Sequence, residues 1–231
     1  MKFIKKLLHY IFNSLGYQLV RTNKAPQKWI DVNDPIKHNS IEKINEFYAD
    51  ENLLKDYVTD ERLNFYKDVT AFLVTRSLDL KNKKVVDVGC GTGHLLHYIH
   101  EKYNLKEGIG LEYSSEAVKL ARSLFPMFDF QEFDIYQQRN DKFDVILCTE
   151  VLEHLLYPDQ ALNNLLNMTD ARGKIFITVP NGRIDTFGGH INFWSPESWE
   201  VFIKKTAEGY QCETGTIRNN GINYALISKA S

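Results

Sequence analysis

The regular alternation of short apolar runs with helical segments after residue 83 is the feature that most constrains the fold. Five runs have the length and composition of β-strands: 84–88, 108–112, 128–133, 143–148 and 174–179. Helical patterns separate the first three runs and the last two, whereas 135–142 reads as a short connection. Because parallel strands need crossover connections, this order predicts a parallel α/β sheet with right-handed crossovers.

The end of the chain departs from this pattern. After a helix predicted near 196–206, the sequence YQCETGTIRNNGINYALIS contains two strand-like halves joined by Asn-Gly. Asn-Gly between apolar runs is a strong signal for an antiparallel hairpin. An α/β sheet that closes with such a hairpin is more specific than a generic doubly wound sheet.

Two helical patterns precede the alternation, at 41–57 and 60–78, and we interpret them as cap helices of one α/β domain over 41–231. Residues 23–40 contain two prolines and many polar side chains, and they read as a linker. With the preceding segment they form a predicted N-terminal extension over 1–40.

The first 30 residues carry six lysine and arginine side chains and no acidic one. Within residues 1–22, apolar side chains recur at helical spacing and form a stripe beside the lysines, which predicts an amphipathic helix. One interpretation is a peripheral helix on an anionic membrane surface or a partner protein. The other is a helix packed on its own domain.

The composition is that of an ordinary globular enzyme, with 43% apolar and 25% charged residues. The net charge of −2 and a pI near 6.4 disfavour a dedicated nucleic-acid binder. The three cysteines, Cys90, Cys148 and Cys212, fit neither a disulfide framework nor a CxxC metal motif. We therefore expect a cytoplasmic protein, with the inner membrane face as the alternative if the N-terminal helix binds lipid.

The segment VVDVGCGTGHLL reads as a strand, a glycine turn and a helix start. Gly89, Gly91 and Gly93 let the backbone turn tightly and approach a ligand closely. A dinucleotide is the first candidate ligand, but the third glycine of GxGxxG would fall at His94, and Asp87 would repel a diphosphate. The same carboxylate attracts the sulfonium and ammonium groups of S-adenosylmethionine.

The run DVGCGTG resembles the first motif of the class I S-adenosylmethionine-dependent methyltransferases, and the resemblance extends over residues 83–228. It implies a Rossmann-like sheet of seven strands, mostly parallel, with the last strand antiparallel in the C-terminal hairpin. It also implies helices on both faces and an N-terminal helical extension.

The resemblance further implies that Glu112 binds the ribose and Asp134 the adenine amino group of the cofactor. The alternatives are a helix-capping acid and a turn acid, respectively. The full set of implied cofactor-binding residues is Asp87, Gly89, Cys90, Gly91, Gly93, Glu112, Tyr113, Asp134, Ile135, Thr149 and Glu150.

The segment CTEVLEHLLYP places Glu150, Glu153 and His154 directly after an apolar strand, where ligands of parallel sheets bind. On one helical turn these side chains would share a face. The segment resembles a motif of ubiquinone-biosynthesis O-methyltransferases and of small-RNA 3′-terminal 2′-O-methyltransferases. Both have a Glu-x-x-Glu-His turn and a later histidine, and divalent-metal binding is known among them. His190 is the candidate later histidine, although the ubiquinone enzymes have a longer insertion before theirs.

Methyl transfer from a sulfonium is an in-line displacement, so the enzyme must mainly align and activate the acceptor. A hydroxyl acceptor needs its proton removed by a base, or its pKa lowered by a metal. We therefore predict His154, His190 and Glu150 as catalytic residues. The predicted ligands of Mg²⁺, Mn²⁺ or Zn²⁺ are Glu150, Glu153, His154 and His190. The alternative is a metal-free turn in which Glu150 holds the cofactor and His154 packs.

The segment VPNGRIDTFGGHINFWSPESW, with Gly188-Gly189 and the aromatic residues Phe187, Phe193 and Trp194, predicts an acceptor lid. The alternative is a long connection whose aromatic side chains fill the core. Tyr48 and Tyr57 are predicted to lie over the cofactor.

These features predict a methyltransferase that acts on a hydroxyl of a small molecule, a sugar or a lipid-linked intermediate. Transfer to nitrogen, or to a phosphorylated acceptor without a metal, is the alternative among enzymes. A non-catalytic accessory subunit that binds the cofactor and docks through its basic helix stays open, as does a dinucleotide oxidoreductase. An RNA acceptor is disfavoured because the core lacks a basic stripe.

Overall fold

A computed structural model of the chain describes residues 34–229, except residues 77 and 79. The predicted amphipathic helix at 1–22 and most of the predicted linker lie outside the described residues. The helices and strands follow one another in this order: α1 Pro35–His38, α2 Ile41–Ala49, α3 Glu51–Tyr57, α4 Asp60–Thr75, β1 Lys84–Val88, α5 His94–Tyr103, β2 Glu107–Glu112, α6 Ser115–Leu124, β3 Asp129–Glu132, β4 Phe143–Thr149, α7 Pro158–Met168, β5 Thr169–Pro180, α8 Pro196–Thr206, β6 Tyr210–Ile217 and β7 Ile222–Lys229.

The seven strands form one sheet in the order β3-β2-β1-β4-β5-β7-β6. The first five in this order are parallel, and β7 lies antiparallel between β5 and β6. This is the predicted mostly parallel seven-stranded sheet with a C-terminal hairpin, and the fold prediction is confirmed. The chain order reverses direction between β1 and β4, so the carboxyl edge of these two strands is the expected place for a ligand.

Each face of the sheet carries its own apolar core, because successive strand side chains point to opposite sides. Val85 belongs to the core beneath α4, α5 and α6, and Val86 to the core beneath α7 and α8. Trp199 in α8 is fully buried, and its Nε1 donates to Tyr224 O at 3.0 Å. Truncating this side chain to alanine would cost about 3–5 kcal/mol.

Two local predictions differ from the structure. The helix predicted over 41–57 is split at Asp50, whose side chain accepts hydrogen bonds from Asn52 N and Leu53 N and so caps α3. Residues 35–38, predicted as linker, form α1.

The C-terminal hairpin turns through four residues, 218–221. Arg218, Asn219 and Asn220 have left-handed backbones there, so the turn is longer than a two-residue Asn-Gly turn. Of the helices in the described part of the chain, none is long and apolar enough to cross a membrane.

Candidate functional site

The glycine loop lies at the carboxyl edge of β1, as predicted. Gly89, Gly91 and Gly93 have φ values of +75°, +49° and +80°, which other residues rarely adopt. Gly89 N donates to Leu111 O at 2.7 Å, which ties the loop to β2. A Cβ at Gly91 would lie 3.0 Å from Tyr48 Oη, so the close approach of the capping helices also requires glycine.

Glu112 connects the end of β2 to this loop. Its Oε2 accepts from Gly91 N at 2.9 Å and its Oε1 from Ser114 N at 3.0 Å. Burial raises the pKa of the Glu112 carboxyl, and the bonds from backbone N–H groups oppose this rise. The first turn of α6 is capped by Ser114 itself, whose Oγ accepts from Ala117 N at 3.1 Å.

Asp87 lies on β1 behind the loop and is only 1% exposed. Its Oδ1 has no hydrogen-bond partner among the described residues. Burial and the neighbouring Glu112 raise the pKa of Asp87 to about 8, so the acid is mostly protonated in the free protein at pH 7. An arriving cation would favour its ionised form. Cys90 and Thr149 are buried as well, and the Cys90 side chain packs into the core beneath α4, α5 and α6.

Asp134, the predicted adenine residue, borders a pocket next to Glu112. Tyr113 and Asp134 line this pocket of about 250 Å³ together with Glu132, Phe133 and Gln137. Asp134 Oδ1 accepts from Tyr136 N at 2.9 Å, which is a turn contact. Ile135 is buried, and its carbonyl accepts from Asn164 Nδ2 at 2.9 Å.

An arginine that sequence reasoning missed lies near the predicted aromatic cap. The Arg62 guanidinium stacks over the Tyr57 ring at 4.7 Å from its centroid, in the first turn of α4. The charge of Arg62 opposes the rise in the pKa of Glu150 that burial causes. The sequence does show that Arg62 is a basic residue in a predicted cap helix. Its periodicity does not show that the Arg62 side chain faces the predicted cofactor site.

Glu150 does not share a helical turn with Glu153 and His154, contrary to the prediction. Its φ of +56° turns the chain sharply after β4, and only Leu152–His154 form a single 3₁₀ turn. Glu150 N donates to Thr178 O at 2.9 Å, and Thr178 Oγ1 donates to Glu150 Oε1 at 3.0 Å. Glu150 is therefore held against β5.

Glu153, His154 and His190 lie together, and we call them the Glu-His-His cluster. One potential ligand atom from each lies within 4.8 Å of the others. Glu153 Oε1 is 3.9 Å from Nε2 of both histidines. Glu150, the fourth predicted metal residue, is not in this group.

Glu153 is only 1% exposed, and both its carboxylate oxygens lack a hydrogen-bond partner within the described residues. Burial and the neighbouring Glu150 raise the pKa of Glu153 well above its usual range. Burial and the adjacent His190 lower the pKa of His154 to about 3, so its imidazole is neutral and has a lone pair that can bind a cation, while the same shift makes it a weak base.

The residues present fit a divalent cation. Atoms bound to one ion at about 2.0–2.2 Å in tetrahedral geometry lie about 3.3–3.6 Å apart. The ligand atoms of the cluster lie within 4.8 Å of one another, so they would need to approach by about 1 Å to hold an ion. One carboxylate and two imidazoles form a common three-ligand set that leaves positions for water or substrate. The buried, unpartnered oxygens of Glu153 are the groups that such an ion would satisfy.

The predicted lid segment is packed rather than open. Gly189 is buried between Phe187 and His38, and its carbonyl accepts from Asn39 Nδ2 at 2.8 Å. The rings of Phe187 and Phe193 lie 4.7 and 6.2 Å from that of His190. The third predicted aromatic residue, Trp194, packs into the core against Trp199 and Phe202.

Comparison with known proteins finds a matching family and several similar methyltransferases. Residues 58–207 match a family described as a methyltransferase domain. A ubiquinone biosynthesis O-methyltransferase of Coxiella burnetii is 26% identical over 125 residues, which cover 52% of this chain and 53% of the relative. A protein-lysine N-methyltransferase of Saccharomyces cerevisiae is 30% identical over 98 residues, or 39% of this chain and 43% of the relative. The chain thus spans about half the length of these relatives.

Solved structures share the fold. The N-methyltransferase NodS from Bradyrhizobium japonicum, in complex with S-adenosyl-L-homocysteine, superposes with a TM-score of 0.66 at 15% identity. The match covers 84% of this chain and 100% of NodS.

Proposed function

The chain belongs to the methyltransferase domain family, and from this premise we propose that it transfers the methyl group of S-adenosylmethionine to a hydroxyl oxygen. The acceptor class that we propose is a small molecule, a sugar or a lipid-linked intermediate. The observation that carries the proposal is the Glu-His-His cluster, which places one buried carboxylate and two imidazoles beside the carboxyl edge of β4. Such groups are needed to deprotonate an alcohol, whereas the leaving thioether needs no acid.

The cofactor half of the site suits S-adenosylmethionine better than a dinucleotide. The unpartnered Asp87 Oδ1 would receive the cationic methionine end, and Glu112 would receive the ribose hydroxyls. Arg62, which lies near Glu150 over the aromatic cap, would bind the cofactor carboxylate. The pocket beside Tyr113 and Asp134 would hold the adenine.

In the proposed reaction the acceptor hydroxyl lies between the cofactor methyl group and the Glu-His-His cluster. The oxygen attacks the methyl carbon in line with the departing sulfur, and its proton passes to His190 Nε2 or to Glu153. Glu153, His154 and His190 would hold a divalent cation if one is used. A bound cation would lower the pKa of the acceptor hydroxyl.

The donor assignment can be tested by calorimetry. The folded chain should bind S-adenosylmethionine and S-adenosylhomocysteine but not NAD. Absence of binding by both sulfur compounds, together with binding of NAD, would replace the proposal with a dinucleotide enzyme.

The acceptor assignment needs a screen of hydroxyl compounds with radiolabelled cofactor, repeated with a chelator and with added Mg²⁺, Mn²⁺ or Zn²⁺. Turnover that is lost with the chelator and restored by one metal supports the cation site. Full turnover in the chelator leaves the cluster with an acid–base role only.

Transfer to nitrogen is the second candidate, because the yeast relative and NodS are both N-methyltransferases by name. Mass spectrometry of the methylated product distinguishes an ether or ester from an amine. Contact of residues 1–22 with a membrane surface is a separate proposal, tested by sedimentation of the chain with and without this segment on anionic vesicles.

A further inference from the structure

The loop after β5 contains a carboxylate that the proposed methyl transfer does not yet use. Asp185 Oδ2 lies 2.5 Å from His190 Nδ1, and both side chains are only 10% exposed. A short contact between a carboxylate and an imidazole away from water is a charge-assisted hydrogen bond, in which the ring nitrogen donates. The orientation of the His190 ring is therefore set from its Nδ1 side.

Asp185 is itself held in place by the backbone of the same loop. Its other carboxylate oxygen, Oδ1, accepts from Phe187 N at 3.0 Å, and its own N–H donates to Asn181 O at 3.0 Å. One oxygen is thus engaged by the backbone and the other by the imidazole. The carboxylate has a fixed direction, which a flexible surface aspartate lacks.

The opposite edge of the His190 ring belongs to the Glu-His-His cluster. Its Nε2 is 3.9 Å from Glu153 Oε1, and the His154 ring lies 4.7 Å away between centroids. A neutral imidazole carries one N–H, so a proton on Nδ1 leaves a lone pair on Nε2. Only that tautomer can accept a proton or bind a cation at the cluster.

We propose that Asp185 is a positioning residue that holds His190 in the Nδ1–H tautomer and so directs the Nε2 lone pair into the Glu-His-His cluster. The catalytic consequence rests on the proposed function, but the tautomer does not. Without Asp185 the ring could carry its proton on Nε2, where an N–H would face the acceptor or cation instead of a lone pair.

The test uses Asp185→Asn, which changes the imidazole contact but keeps the loop. The asparagine Oδ1 can still accept from Phe187 N, and its amide nitrogen then faces His190 Nδ1 as a donor, which favours the opposite tautomer. Two-bond ¹H–¹⁵N correlation spectra of the full chain should show Nδ1–H for His190 in the wild type and Nε2–H in the variant.

Turnover should fall about 10- to 100-fold in Asp185→Asn, as for other carboxylates behind a functional histidine. The KM for S-adenosylmethionine should stay within about twofold, because the cofactor contacts are untouched. Asp185→Glu, which keeps the carboxylate, should retain more turnover than Asp185→Asn. Asp170→Asn is the matched control, since Asp170 Oδ1 accepts from Arg172 N two residues on, at 3.4 Å, at an exposed position near the start of β5.

Each outcome decides the question. An Nε2–H tautomer in the wild type, or an unchanged tautomer in Asp185→Asn, overturns the proposal. A tautomer change in a chain that methylates no acceptor would sink the proposed function and leave the positioning role intact. If Asp185→Asn does not fold, the wild-type tautomer and that of Asp185→Glu decide: both must be Nδ1–H.

Discussion

The proposed site has a cofactor half around Asp87 and Glu112 and an acceptor half formed by the Glu-His-His cluster. Each half contains a buried carboxylate with an oxygen that has no hydrogen-bond partner among the described residues, but the surroundings of the two carboxylates differ. Asp87 lies beside a glycine loop and another carboxylate, Glu112, so its environment favours the protonated acid. Glu153 lies 3.9 Å from two imidazoles. The shift in the pKa of Asp87 comes from burial and another carboxylate, whereas Glu153, whose pKa is also raised, lies beside imidazoles that can bind a metal.

This difference fits the separate roles that we propose for the two halves, cofactor binding and activation of the acceptor. In the proposed function, the cofactor half would receive a positive charge from a cationic ligand, which would explain why an acid is buried there without a hydrogen-bond partner for its Oδ1 among the described residues. The acceptor half keeps its bases within the chain and is suited to changing the protonation of a substrate. Variants in each half should therefore affect different measured quantities.

Glu153→Gln should have the largest effect. The amide keeps the shape of the side chain but cannot take a proton or neutralise a cation, so turnover should fall at least about a hundredfold. Binding of S-adenosylhomocysteine, measured by calorimetry, should not change. Glu197→Gln, an exposed carboxylate paired with Arg183, is the control. Wild-type turnover in Glu153→Gln would remove the acceptor half from the chemistry.

Arg62→Ala should reduce the affinity for the cofactor more than turnover. Loss of a charged hydrogen-bond donor to the cofactor carboxylate should weaken S-adenosylmethionine binding about 10- to 100-fold. Turnover at saturating cofactor should change less. Lys67→Ala lies on the same helix with an exposed side chain and serves as the control. Equal affinities for both variants would contradict the assignment of Arg62.

Cofactor affinity should depend on pH through Asp87. Its pKa is raised to about 8 in the free protein, and a bound cation favours the ionised form, so binding below pH 8 must release a proton. The affinity should therefore rise with pH, by at most about tenfold per unit, and level off above pH 8. The raised pKa of Asp87 also makes the free energy of unfolding of the free protein depend on pH. The contribution of Asp87 to this free energy is fully present below about pH 4, the pKa of an unfolded aspartate, and is lost as the pH rises through about 8.

Calorimetry between pH 6 and 9, in buffers of different ionisation enthalpy, measures the released proton. The slope should disappear in Asp87→Asn. A slope of the same size in that variant would assign the proton to another group.

Glu112→Ala should have the smallest effect, a several-fold loss of cofactor affinity, because backbone groups of the glycine loop would still contact the ligand. Glu107→Ala changes an exposed acid at the start of the same strand, which is paired with Lys84. An unchanged dissociation constant in Glu112→Ala would withdraw the ribose assignment.

The prediction of a class I S-adenosylmethionine-dependent methyltransferase is confirmed in family and in fold. The proposed cofactor half could be predicted from the sequence because its residues lie close together along the chain. Asp87, the three glycines and Glu112 lie on two neighbouring strands and one loop. The positive φ values of the loop can be inferred from glycine alone.

The acceptor half needed the tertiary structure. The sequence suggested one helical turn for Glu150, Glu153 and His154, but the left-handed backbone of Glu150 separates it from the other two. Arg62 contacts Tyr57 and Asp185 contacts His190, each only five residues away along the chain. The sequence does not indicate that Arg62 lies near Glu150 or that His190 lies near Glu153, because these pairs are far apart along the chain. Periodicity along one segment determines which strands and loops form. Only the packing of α1, α4 and the loop after β5 around the sheet edge decides which charged groups meet, because that depends on long-range contacts.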